Sequence, residues 1–77
     1  MVSAYILIQT EVGKASHVTK DIADLKGINA VDGVTGPYDV IAKAEADDLD
    51  QLAKAIVMQI QTVEGVTRTL TCPVLKL

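Results

Sequence analysis

The chain has 77 residues, 49% of them hydrophobic, with seven Lys and Arg against ten Asp and Glu, and that length allows one small domain, expected over residues 1–77. Its formal charge of −3 argues against a duplex-binding surface, because affinity for a phosphate backbone comes mainly from clustered Lys and Arg. A lone cysteine and a lone histidine exclude an internal disulfide and a Cys/His zinc site, and apolar runs such as Tyr5 to Ile8 fall far short of the roughly 20 residues that span a bilayer. The expectation is a soluble cytoplasmic protein without metal, membrane or direct nucleic-acid partner.

Val2 to Gln9 reads VSAYILIQ, apolar at both parities and rich in β-branched and aromatic residues, which predicts a central strand covered on both faces. After Gly13 the period changes: Ala15, Val18, Ile22 and Leu25 are spaced three and four apart and mark the apolar stripe of a first helix. Gly27 supplies the positive φ of a helix C-cap, and Lys26 suits the negative end of the helix dipole. Ile28 to Thr35 is a second extended run, and Gly36-Pro37-Tyr38-Asp39 turns the chain before Val40 to Ala46 resumes. Asp32-Gly33 is the stronger two-residue hairpin signal, but placing the turn there would leave Pro37 in mid-strand. The turn is therefore placed at Gly36-Pro37, with Gly33 as a bulge.

Asp47 or Asp48 caps a second helix, with Asp48 and Gln51 at capping-box spacing. Its predicted buried stripe is Leu49, Leu52, Ala53, Ile56, Ile60 and Val63. Val66 to Leu75 alternates Val66, Arg68, Leu70 and Cys72 with Thr67, Thr69 and Thr71, a fourth strand with one more polar face. The order is βαββαβ, and it carries an internal repeat: Leu25-Lys26-Gly27-Ile28 recurs as Val63-Glu64-Gly65-Val66, each closing a helix and opening a strand. Right-handed crossovers put both helices on one face of a four-stranded antiparallel sheet, the ferredoxin-like arrangement of the α+β class. The other face is left bare. It is expected to carry residues such as Tyr5, Leu7, Val31 and Ile41, too apolar for water. A chain this size buries only about 60% of its unfolded surface, so an identical sheet related by a twofold axis is the most economical cover.

Catalytic constellations are scarce. His17 falls off the helix-one stripe and reads as a solvated histidine; Cys72 reads as a small buried hydrophobe. The loop after strand one, Thr10 to Gly13, has neither the paired cysteines of a metal carrier nor an arginine, Arg68 being the only one in the chain. No acid/base pair stands at a readable spacing, so no enzyme is expected. The Gly36 to Asp39 turn is more informative. Gly lets backbone amides approach a ligand, and an acidic side chain beside it accepts hydrogen bonds from an ammonium group, a combination that suits a zwitterion. The plainer reading is ordinary turn chemistry. The threonines of strand four have a plain reading too, as β-favouring residues.

With the elements in this order, Val34-Thr35-Gly36-Pro37-Tyr38-Asp39-Val40 and Val63-Glu64-Gly65-Val66-Thr67-Arg68-Thr69-Leu70-Thr71 make the chain resemble the effector-binding domain of the Lrp/AsnC family of feast/famine regulators. The resemblance covers essentially all 77 residues. It implies sheets paired face to face into dimers of the dimeric α/β barrel type, often assembled into rings of four dimers, with amino-acid effectors held between dimers near the hairpin turn. Carried over, Gly36, Pro37, Tyr38 and Asp39 line the ligand site, with backbone amides facing the ligand carboxylate and Asp39 its ammonium. Thr69 and Thr71 are implied as hydroxyl contributors. Family regulators carry a helix-turn-helix module before this domain, whereas strand one here begins at Val2, so a stand-alone effector module without cofactor is expected. Two alternatives stand beside it: a ligand-independent subunit that co-assembles with full-length family regulators, and a small dimeric α/β-barrel enzyme.

Overall fold

A computed structural model describes all residues, Met1 to Leu77. Strand β1 (Val2–Thr10) leads into helix α1 (Ala15–Ala23), followed by β2 (Ile28–Gly33), β3 (Val40–Ala46), a second helix α2 over residues 49–61, and β4 (Val66–Pro73). The four strands form one antiparallel sheet in the order β2-β3-β1-β4. Ala4, Ile6 and Ile8 of β1 and Val40, Ala42 and Ala44 of β3 point to one face, where they meet Val18 and Ile22 of α1 and Leu52, Ile56 and Ile60 of α2. These eleven side chains are the buried apolar core. The two central strands contribute alternate residues to it because successive side chains of a strand point to opposite faces.

The sequence repeat is a structural repeat. Gly27 and Gly65 have φ of +93° and +99°, a conformation that costs a side-chain-bearing residue about 1–2 kcal/mol. Neither is the helix C-cap, which is Asp24 for α1 and Thr62 for α2; each glycine lies three residues beyond, in the turn that opens the next strand, and its carbonyl accepts a hydrogen bond from the strand or loop beside it: Glu45 N–H to Gly27 at 2.9 Å and Glu11 N–H to Gly65 at 2.8 Å. Each also packs against the helix of the opposite half. A Cβ on Gly27 would lie 2.7 Å from Ile56 Cδ1, and one on Gly65 would lie 2.9 Å from Lys14 Cβ.

Just beyond each of these glycines the strand register slips, at Asn29 in β2 and at Thr67 in β4. These bulges correct the parity read from the sequence. Ile28 and Val31 both face the helices, so Val31 does not belong to the open face, and Val66 packs on the core rather than sharing a face with Arg68. Gly33 is not a bulge; it pairs with Val40, and β2 ends there rather than at Thr35.

Helix α2 is α-helical at Leu49–Gln51 and Met58–Gln61 and π-helical between, at Leu52–Val57. The Asp48 carboxylate caps it by accepting from the Gln51 N–H at 2.8 Å. A spacing of four, repeated through Leu52, Ile56 and Ile60, would drift about 40° per step on a 3.6-residue helix. The wider turn absorbs that drift and keeps the three residues on the sheet. Two members of the predicted stripe are accordingly outside it: Leu49 is 56% exposed and Ala53 is exposed as well. Cys72, expected to be buried, is exposed, because it lies on the sheet face away from the helices. No helix is long and apolar enough to cross a membrane.

Candidate functional site

The turn between β2 and β3 is tied to the end of β1 by side-chain and backbone bonds. Asp39 donates its N–H to the Ile8 carbonyl at 2.9 Å, and its Oδ2 accepts from the Thr10 N–H at 2.9 Å and the Thr10 hydroxyl at 3.3 Å. The Gln9 amide donates to the Pro37 carbonyl at 2.9 Å. The turn closes on itself through the Val34 N–H, which donates to the Asp39 carbonyl at 2.9 Å. A carboxylate held by two donors is fixed in direction, and such charge-assisted bonds are stronger than neutral ones.

What the turn leaves free is as informative as what it uses. The N–H groups of Gly36 and Tyr38 make no hydrogen bond within the chain, nor does Asp39 Oδ1. Gly36 has a φ of +149°, and the space where a Cβ would stand is open. Gly36 and Pro37 are exposed, while Tyr38 and Asp39 are half-buried. Beside the turn lies an open recess of about 620 Å³, lined by Ala15, Gly33, Val34, Thr35 and Asp39. Backbone donors, a fixed carboxylate and an adjoining recess can together hold both ends of a small zwitterion.

Thr69 and Thr71 stand apart from the turn. They pair with Ile8 and Ile6 of β1, on the side opposite β3. Thr69 is thus two strand spacings, roughly 10 Å, from Val40. Both threonines are half-buried on the helix face, and the Thr69 hydroxyl accepts from the Gln61 amide at 3.2 Å. Within one chain the turn and the threonines are therefore not one site. Conversely, Gln9 and Thr10 orient the turn yet carry no sequence signal for it, being 28 and 29 residues away from the groups they hold.

The remaining candidates are separate from this region. His17 Nε2 lies 3.1 Å from Asp21 Oδ2 on the solvent side of α1, both side chains about half exposed. No group of three or more His, Cys, Asp or Glu side chains is placed to hold a metal ion.

Residues 3–77 match the family model of the Lrp/AsnC ligand binding domain. The chain belongs to that family. The crystal structure of a protein from Thermus thermophilus has a TM-score of 0.91 to it and 31% identity, covering 100% of this chain and 96% of that one. Homocitrate synthase of Sulfurisphaera tokodaii is 39% identical over 59 residues, which is 77% of this chain and 13% of the enzyme. A Neisseria meningitidis transcriptional regulator solved as an L-Met complex has a TM-score of 0.82 and 17% identity over 97% of this chain and 50% of that one, a likeness of fold. The chain thus spans a small part of the curated enzyme it matches and about half of the regulator. The family model that it matches describes a ligand-binding domain.

Proposed function

We propose that the chain binds a small amino acid at the Gly36–Asp39 turn, as a homo-oligomer, and passes occupancy on as a change in assembly. The observation that carries this reading is the pairing of two unbonded backbone N–H groups, at Gly36 and Tyr38, with a carboxylate whose Oδ2 is anchored by Thr10 and whose Oδ1 is unused. The amides suit the ligand carboxylate and Oδ1 its ammonium. The L-Met complex of the Neisseria regulator supports the ligand class by analogy of fold.

Thr69 and Thr71 enter the site only from a neighbouring subunit, since one chain holds them on the far side of β1 from the turn. A site shared in this way couples ligand binding to assembly, because only the assembled state offers the full set of contacts. The chain itself performs no chemistry in this reading.

Isothermal titration calorimetry with the common amino acids tests it. The wild-type chain binds at least one, Asp39→Asn binds it roughly 10–100-fold more weakly, as the loss of one charged hydrogen bond dictates, and the variant still assembles. Unchanged affinity in Asp39→Asn would move the site away from the turn. A second reading, co-assembly with full-length family regulators without a ligand, draws on the open apolar sheet face alone; mixed oligomers formed in the absence of any amino acid would favour it.

A further inference from the structure

The recess beside the hairpin turn has a wall of its own chemistry. Ala15, at the start of α1, and Val34, just past the end of β2, are the hydrophobic residues that line it; Gly33 adds no side chain, Thr35 brings one hydroxyl, and Asp39 is the one charged residue. No lysine or arginine lines it. Lys14 precedes Ala15 in the chain, but its stem lies beside Gly65 instead. Ala15 is half-buried and packs against the core, whereas Val34 is 36% exposed and takes no part in the core. A single exposed apolar residue ordinarily needs no explanation. Val34 differs in its place: its N–H is fixed to the Asp39 carbonyl at 2.9 Å, in the same turn as the unused Asp39 Oδ1 and the unbonded N–H groups of Gly36 and Tyr38.

We propose that Val34, together with Ala15, makes the recess select amino acids whose side chains are uncharged and apolar, with Val34 as the residue that sets this preference. The inference rests on the reading of the turn as an amino-acid site and adds which amino acids it takes. With the ligand carboxylate on the free amides and its ammonium on Asp39 Oδ1, the ligand side chain is left to the recess. An acidic side chain would enter a space that holds a carboxylate and no cation to answer it. A basic side chain would find the one carboxylate already engaged by the ammonium. Either charge would give up water without gaining a partner, which is unfavourable. An amide side chain fares little better, because the Thr35 hydroxyl cannot replace all the hydrogen bonds it makes in water. An aliphatic side chain loses nothing of this kind and covers the apolar surface of Val34 and Ala15, a gain that grows with the area removed from water. Specificity then comes from the absence of polar partners as much as from the apolar contact.

The test is calorimetric titration of leucine, lysine and glutamate into the wild-type chain and into Val34→Glu, Val12→Glu and Asp39→Asn, with circular dichroism to verify that each variant folds. Leucine is expected to bind the wild type at least about tenfold more tightly than lysine or glutamate. Val34→Glu supplies the carboxylate that a basic side chain lacks, and it shifts the ratio of lysine to leucine affinity toward lysine by roughly tenfold or more. Val12→Glu adds the same charge at a fully exposed position that does not line the recess, and it leaves the ratio as in the wild type. A ratio is read because a general loss of structure or of net charge balance would weaken both ligands together. A wild type that prefers lysine or glutamate overturns the inference, as does a Val34→Glu chain with wild-type selectivity or a Val12→Glu chain with the same shift; if Asp39→Asn still weakens binding, the turn itself stands as the site. Failure of the underlying reading looks different: an amino acid whose affinity is the same in Asp39→Asn, or no binding of any of the three, removes the site and this inference with it.

Discussion

In the proposed site Asp39 has two jobs that a single substitution can separate. One oxygen holds the hairpin to β1 through Thr10, and the other is free for a ligand. Asp39→Asn keeps an oxygen acceptor for the Thr10 N–H but removes the charge, so its thermal midpoint stays close to wild type while amino-acid affinity falls. Asp39→Ala also strips two half-buried donors of their acceptor, which costs about 1–3 kcal/mol of stability in addition; thermal and chemical denaturation of the two variants checks the difference. By contrast, the exposed His17–Asp21 pair contributes well under about 1 kcal/mol. His17→Ala is therefore expected to leave both affinity and stability almost unchanged. In the sequence, Gly36 to Asp39 stands out as turn chemistry because Gly and Pro fix backbone geometry locally. The anchoring by Gln9 and Thr10 is invisible there, since it depends on the register of strands far apart in the chain.

At the level of elements, the two halves close by the same device, a positive-φ glycine pressed against the other half's helix. Gly65→Ala combines left-handed strain with a Cβ 2.9 Å from Lys14 Cβ, and it is expected to lower the unfolding free energy by more than about 1–2 kcal/mol. Gly33→Ala is the internal control: it has no positive φ and no neighbour within 4 Å of the added Cβ, so denaturant unfolding should place it within about 1 kcal/mol of wild type. The repeat that positions these glycines is legible in Leu25-Lys26-Gly27-Ile28 and Val63-Glu64-Gly65-Val66, because a glycine between two periodicities marks a turn; that the helices already stop at Asp24 and Thr62 is not legible there. The bulges at Asn29 and Thr67 are not, since neither residue type announces an unpaired strand position. They turn Val31 and Val66 to the helix side, which counting by twos cannot anticipate. The π-helical segment has the same effect on α2: Leu49 and Ala53 fit a 3.6-residue stripe, but the observed turn is wider there and leaves them in solvent.

For the molecule as a whole, the sheet is covered on one side only. Ile6, fully buried between the strands and the helices, is part of the fold's own core, and Ile6→Ala should cost about 2–5 kcal/mol in denaturant unfolding. Leu70, nearly half exposed on the other side, lies outside that core, on the face proposed for assembly. Leu70→Lys is expected to leave the monomer's fold intact, as judged by circular dichroism, while sedimentation shows smaller species. That Cys72 is exposed in the single chain follows from the same asymmetry, because its apolar surroundings are those of the open face and not of the core. The ferredoxin-like order is readable from alternating periods and two helix stops. The separation of Thr69 and Thr71 from the turn is not, because it depends on which strands flank β1, and that order is set by the fold as a whole.

The coupling of ligand to assembly in one module is tested most directly by native mass spectra of the protein alone and with each of the common amino acids. The expected result is a dimer or a multiple of dimers that gains the mass of one amino acid per subunit, with a shift in the distribution of assemblies when it does. A chain whose oligomers neither gain mass nor redistribute with any amino acid would contradict it.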